Sequence, residues 1–287
     1  MNDPAHNRSV VLLLLAALCW SLGGVLIKWV QWPPLAVASG RGLIATLFLG
    51  AACARTLRFT WSPVQLGAAV AYALTTVLFV TATKLTTAAN AILIQYTAPV
   101  WVALLGAGFL QEHPQRSDWF VMALVFAGMG IFLYDGLHFS GLAGNLFALG
   151  SGVAFAALVL LLRKQKDGSP IESIILGNAL AFLIGLPWLA RAPALPADGW
   201  VALGLLGLVQ LGVSYLLYAR AIKHVTALEA VLIPIIEPIL NPLWVMLVLG
   251  EKPSQLALFG GAIVIGAVTW RALASIRGPR GAAAPAA

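Results

Sequence analysis

Glu237 is a carboxylic acid near the centre of an apolar run, 227–249, that also holds Pro234, Pro238 and Pro242. On a 3.6-residue period Pro234, Glu237, Asn241 and Trp244 share one face. A charged carboxylate turned toward lipid at the bilayer centre costs ~2.5–3.5 kcal/mol on insertion scales, so this face is expected to point at a pathway. There Glu237 could hold a substrate amine or take up a proton. The competing reading is a protonated carboxyl hydrogen-bonded inside the bundle, with no transport role. Arg41 is a second ionisable group inside an apolar run, seven residues from its start at 34, or ~10 Å deep at helical rise. It could bind a substrate carboxylate, pair with Glu237 or Glu251, or snorkel outward; a structural ionic role suits it equally.

Eight aromatics, Trp20, Tyr72, Phe79, Tyr96, Trp101, Phe155, Tyr215 and Trp244, lie inside apolar runs. They could stack on an aromatic or apolar solute, or simply pack the core. Trp29, Trp32, Trp61, Trp119 and Trp200 lie at run ends and read as interface anchors. Pro99 and Pro238 each remove a backbone hydrogen bond in mid-helix, and with Pro234 they suit a hinge or a static bend. Glu112 and Glu251 stand at run ends just before Pro. They are expected to be structural joints, accepting hydrogen bonds from the first N–H groups of the next helix. The small-residue stripes Gly23-Gly24, Gly128-x-Gly130, Gly150-x-Gly152, Gly260-Gly261 and Gly266 are expected to allow close helix packing.

The elements that position these groups are set by a repeat. KLTTAANAILIQYTAPVWVALLGAGFLQEHP (Lys84–Pro114) and KHVTALEAVLIPIIEPILNPLWVMLVLGEKP (Lys223–Pro253) align at an offset of 139. Lys84/Lys223, Thr87/Thr226, Pro99/Pro238, Glu112/Glu251 and Pro114/Pro253 are among the identical pairs. Apolar composition alone does not place Lys, Thr, a central Pro and a Glu-x-Pro stop in one register, so the chain reads as a duplication. In that register Gln95 matches Pro234 and Ala98 matches Glu237, so both runs carry a polar group on the matching face near mid-membrane, and Gln95 is expected to line the pathway with Glu237.

The chain has 287 residues, 61% of them hydrophobic and 9% charged. Ordinary soluble domains carry roughly 25% charged residues, so this is an integral membrane protein. Ten runs are long enough to span a bilayer: 10–30, 34–54, 63–83, 88–110, 118–135, 142–162, 172–190, 200–219, 227–249 and 254–274. The first is expected to stay as a helix rather than be cleaved as a signal peptide, because apolar character continues past Trp20. The expected architecture is all-α: a first five-helix repeat over 1–137, a second over 138–277 and a disordered cytoplasmic tail over 278–287. Placing the N-terminus in the cytoplasm puts 12 Lys and Arg residues inside and 4 outside, with Arg41 in a span, from 17 in all. That asymmetry favours both termini in the cytoplasm. Five spans per repeat is odd, so the halves are inverted, an arrangement used by secondary transporters. Net charge of +7 is then a matter of topology and anionic lipid rather than nucleic acid.

With AALCWSLGGVLIK (Ala16–Lys28), Arg41, TAANAILIQYTAPVW (Thr87–Trp101) and LGEKP (Leu249–Pro253) in order, the chain resembles the EamA family of the drug/metabolite transporter superfamily. Within it, the likeness is to bacterial exporters of aromatic amino acids. The resemblance implies ATP-independent efflux of a small metabolite across the inner membrane by alternating access, with no cofactor. It does not imply the solute, and a small-drug or other metabolite exporter is the alternative.

Other function classes fit poorly. The spans hold no metalloprotease, aspartyl-protease or Ser/His signature and no phosphate loop, and His6, His113, His138 and His224 lie in loops or at run ends. A membrane enzyme and an ATP-driven pump are therefore disfavoured. Cys19 and Cys53 fall inside spans and suit neither a disulfide nor a metal site. A phosphate-bearing solute would want several intramembrane bases, so a neutral or zwitterionic solute is expected. The expected partners are a small-molecule solute, an amino acid among them, and the lipid bilayer, for a chain acting as a monomer.

Overall fold

The computed structural model describes residues 4–86, 88–132, 134, 141–240, 244 and 255–277. Asn241, Glu251, His138 and the 278–287 tail lie outside the described residues. The described residues are helical, with no strand among them. Among the described residues, seven helical stretches are long and apolar enough to cross a membrane: Pro4–Trp29, Pro34–Cys53, Pro63–Leu85, Asn90–Leu110, Leu142–Lys164, Ile171–Leu189 and Ala197–Ala221. The apolar stretch Leu258–Ala267 is shorter.

Several of these stretches are broken. The first is α1 (Pro4–Trp20) followed by α2 (Gly23–Trp29). Ser21 separates them and turns its hydroxyl back onto the Leu18 carbonyl at 2.7 Å. The helix starts at Pro4, earlier than the apolar run suggests, and buries His6 against Glu229. Next come α3 (Pro34–Cys53) and α4 (Pro63–Leu85). The fourth run divides into α5 (Ala88–Gln95) and α6 (Ala98–Leu110), with Pro99 in the first turn of α6. Beyond it come α7 (Arg116–Phe132), α8 (Leu142–Lys164) and α9 (Ile171–Leu189). The eighth run is α10 (Ala197–Leu205), a π-helical segment Leu206–Val213 and α11 (Ser214–Ala221). The ninth is α12 (Ala227–Leu232) and a 3₁₀ segment Ile233–Ile236, with helical backbone again over 237–240. The last is α13 (Gln255–Arg277).

α4 lies at the centre, packed along α8, α9, α3 and α5. Glycines set the close approaches. A Cβ on Gly42 would meet the Asn178 carbonyl at 2.8 Å, which fixes α3 against α9. Gly207 and Gly212 seat the π segment on Ile44 and Phe48 of α3. Gly128 meets Val264 and the Gly260 carbonyl where α7 runs along α13, whereas Gly130 and Gly266 face open space. Only part of the small-residue stripe is therefore packing surface.

Matched lysines of the repeat make matched contacts. Lys84 Nζ donates to the Val30 carbonyl at 2.6 Å, and Lys223 Nζ donates to the Gly168 carbonyl at 2.6 Å. Val30 lies just past α2 and Gly168 just past α8. Among the run-end tryptophans, Trp29, Trp61, Trp119 and Trp200 are exposed. Trp32 is not an anchor: it is buried, gives its Nε1–H to the Pro193 carbonyl at 2.7 Å and stands edge-on to Trp200. Cys19 and Cys53 are free thiols.

Candidate functional site: a polar and aromatic cavity inside the bundle

The ninth run carries Pro238, which has no N–H to give the carbonyl four residues earlier, that of Pro234. The backbone there tightens to 3₁₀, and Tyr96, from the turn between α5 and α6, fills the gap. Its hydroxyl stands 3.1 Å from the Pro234 carbonyl and 2.7 Å from Glu237 Oε2. Pro99 frees the matched carbonyl of Gln95 in the same way. That oxygen is approached by Gly152 of α8, where a Cβ would come within 2.8 Å. Both broken helices thus turn freed carbonyls inward, where the protein rather than lipid receives them.

A cavity of ≈ 40 Å³ opens between these breaks and the helices around them. Of the residues singled out in the sequence, Trp20, Phe79, Gln95, Tyr96, Phe155, Tyr215 and Glu237 line it, and Arg41 joins them. The aromatic wall is continuous: Trp20 lies 5.1 Å from Tyr215 and 6.1 Å from Phe155, centroid to centroid, and Tyr215 lies 4.7 Å from Tyr72. Such spacings are favourable ring contacts in themselves. Tyr72 backs this wall without lining the cavity. Trp101 packs against the core outside it. Trp244 also stands off the cavity, donating from Nε1 to Ser21 Oγ at 2.8 Å at the break between α1 and α2.

Glu237 is buried at 8% exposure. Oε2 is held by Tyr96, while Oε1 accepts no hydrogen bond from the described residues. Arg41 is buried at 1% exposure and does not snorkel. It donates from Nη1 to Gln210 Oε1 at 3.1 Å and from Nη2 to the Thr76 carbonyl at 3.0 Å. Of the partners open to it, Glu237 is not taken: no ion pair among the described residues joins them. The polar wall continues through Gln95, which donates to Ser151 Oγ at 2.8 Å, while Ser151 donates to the Thr75 carbonyl at 2.8 Å.

Four lining residues were not anticipated: Thr75, Thr76, Gln210 and Leu211. Gln210 carries a usable signal, since an amide inside LGLVQLGV is costly in lipid and so is expected to face the bundle interior. The two threonines carried none, because each satisfies its hydroxyl on its own helix, at the carbonyls of Ala71 and Tyr72.

Glu112 stands elsewhere. It accepts from Arg163 Nε at 2.8 Å and from the Ala227 N–H at 2.7 Å. It is a joint, but to the first turn of α12 rather than to the next helix, α7. The next helix supplies its own acceptor, Asp118, whose Oδ2 takes the Gln115 N–H at 2.8 Å.

A multi-pass helical fold with a polar, aromatic cavity among broken helices is the build of a membrane transporter. The profile of the EamA-like transporter family matches residues 7–134 and again 142–271. The chain belongs to that family. It is 26% identical over 276 residues to the uncharacterized transporter YwfM of Bacillus subtilis, covering 90% of this chain and 92% of that one. An uncharacterized transporter of Archaeoglobus fulgidus is 28% identical over 211 residues, covering 72% and 76%. One solved protein crystal structure shares the fold with a TM-score of 0.78 at 20% identity, covering 93% of this chain and 97% of its own.

Proposed function

We propose that this EamA-family transporter exports amino acids, aromatic and large apolar ones included, by ATP-independent alternating access across a bacterial inner membrane. The observation that carries the reading is Glu237: a buried carboxylate on an aromatic wall, with Oε1 uncommitted among the described residues. A carboxylate so placed suits the ammonium of a solute whose side chain packs on Trp20, Phe155 and Tyr215. The cavity's ≈ 40 Å³ holds only about three waters by probe-occupied volume. A solute therefore enters when the halves move, and the freed carbonyls beside Pro99 and Pro238 are the natural bending points, with Pro234 in the 3₁₀ segment.

The transporter has ten spans in two inverted five-helix repeats, divided near residue 137, with both termini cytoplasmic. Three facts support this: the family profile matches twice, Lys84 and Lys223 make equivalent contacts, and bases divide 12 to 4. Uptake into vesicles reconstituted with the purified chain tests the substrate. Phenylalanine, tryptophan and leucine should compete for one saturable, ATP-independent flux. Vesicles that move cationic dyes or sugar nucleotides but no amino acid would make it another kind of exporter.

A further inference from the structure

We propose that Arg41, positioned by Gln210 and the Thr76 carbonyl, is the subsite for a solute carboxylate, so that the cavity selects molecules bearing that group. The inference rests on the transporter reading of the cavity but not on the solute being an amino acid.

Arg41 is a guanidinium at 1% exposure whose two hydrogen bonds go to neutral oxygens. No carboxylate among the described residues lies within ion-pair distance of it. Its Nε has no partner among the described residues, although Arg41 lines the cavity. A guanidinium keeps its charge in proteins, and a buried charge without a counter-charge is costly. Its carboxylate neighbour on the same wall, Glu237, is committed through Oε2 to Tyr96 instead. The counter-charge that fits is one the solute brings, and a planar carboxylate matches the N–H fork of arginine.

The backbone around Arg41 is built to hold it this way. Gln210 lies in the π-helical segment Leu206–Val213, a rare winding that re-aims a side chain. The Gln210 amide reaches past Gly23, where a Cβ would lie 3.2 Å from its nitrogen. Gln210 Oε1 then fixes Nη1, the Thr76 carbonyl fixes Nη2, and the Nε edge is left for the solute. A neutral amide in this role orients the guanidinium without neutralising it, whereas an aspartate or glutamate would occupy it.

Equilibrium binding of radiolabelled phenylalanine, 3-phenylpropanoate and phenethylamine to the full chain in detergent tests the proposal. The two carboxylates should bind at least tenfold more tightly than phenethylamine. Gln210→Glu places an internal carboxylate on Arg41 and should weaken both carboxylates at least tenfold, leaving phenethylamine unchanged or tighter. Arg41→Gln should do the same to the carboxylates; if it fails to fold, Gln210→Glu decides alone. Phenethylamine binding as tightly as phenylalanine, or carboxylate binding indifferent to the substitutions at Arg41 and Gln210, overturns the subsite. Binding of 3-phenylpropanoate that depends on Arg41, without phenylalanine binding, keeps the subsite and removes the amino-acid reading. Transport of phenylalanine with no dependence on Arg41 or Gln210 does the reverse.

Discussion

The Tyr96 hydroxyl stands 2.7 Å from Glu237 Oε2 and 3.1 Å from the Pro234 carbonyl, yet a phenol has one proton to give. With Glu237 ionised, that proton goes to the carboxylate. With Glu237 protonated, the carboxyl can donate to Tyr96 and Tyr96 to the carbonyl that Pro238 has freed. One side chain of the fourth run therefore reads the charge of the ninth at the point where its helix is broken.

Tyr96→Phe removes the single buried proton that serves either Glu237 Oε2 or the Pro234 carbonyl. An unmet buried polar group costs about 1–3 kcal/mol. The variant should melt several degrees below wild type in detergent. An unchanged melting temperature would mean that water or a shifted backbone takes over the hydroxyl's role.

Glu237→Gln keeps an oxygen for Tyr96 to donate to, so its melting temperature should stay near that of wild type. Transport in vesicles should fall tenfold or more, because an amide neither holds an ammonium as an ion pair nor takes up a proton. The residual rate should also lose whatever pH dependence the carboxyl confers between pH 5 and 8. Normal transport with an unchanged pH profile would make Glu237 a structural hydrogen-bonder.

The lining of the cavity was legible where a polar or aromatic group interrupts an apolar run in a regular helix, as with Glu237, Gln95 and Tyr96. It was lost where the winding changes. A 3₁₀ turn advances each residue about 20° more than an α-helix, so the segment Ile233–Ile236 turns Glu237 away from where a uniform 3.6 period continued from α12 would put it. Trp244 is drawn off the cavity by its donation to Ser21. The π segment around Gln210 likewise spoils any face read from spacing. The Trp244–Ser21 contact and the capping of α12 by Glu112 join residues far apart in sequence, which periodicity cannot reach.

Gly152 and Gly130 separate packing glycines from incidental ones. A Cβ on Gly152 would meet the Gln95 carbonyl at 2.8 Å and Thr97 Oγ1 at 3.0 Å; on Gly130 it would meet nothing. Gly152→Ala should cost about 1–3 kcal/mol, the range for overpacking, and lower transport by shifting Gln95 at the cavity wall. Gly130→Ala should change neither. Melting curves and vesicle flux on the pair check it, and equal effects would refute the packing argument.

Topology is open to direct labelling. Gln31 and Arg191 are exposed at one end of the bundle, and Arg58 and Lys166 at the other by chain order. With Cys19 and Cys53 replaced, single cysteines at Gln31 and Arg191 should react with an impermeant thiol reagent on intact cells. Those at Arg58 and Lys166 should react only after lysis. The opposite pattern would reverse the orientation and the reading of 12 bases as cytoplasmic.

Glu112 ties α6 to α8 and α12 at the end opposite Gln31. Oε2 accepts the Ala227 N–H, in the first turn of α12, and Oε1 accepts Arg163 Nε. Arg163 in turn donates from Nη1 to the carbonyls of Ile222 and Lys223. One carboxylate thus joins the end of α6, the end of α8 and the start of α12, and a charged acceptor at a helix N-terminus is favoured by both hydrogen bonding and the helix dipole. Glu112→Ala removes all of this and leaves Arg163 half-buried without its counter-charge. The melting temperature should fall, and cytoplasmic access to the cavity should rise. A cysteine replacing Leu211 on the cavity wall reports the second effect: in inside-out vesicles it should react with a thiol reagent at least several-fold faster when Glu112→Ala is present. Glu112→Gln, which still accepts from Ala227, should lie between. Equal reactivity in all three would confine Glu112 to holding the helices together, with no part in closing the inner side.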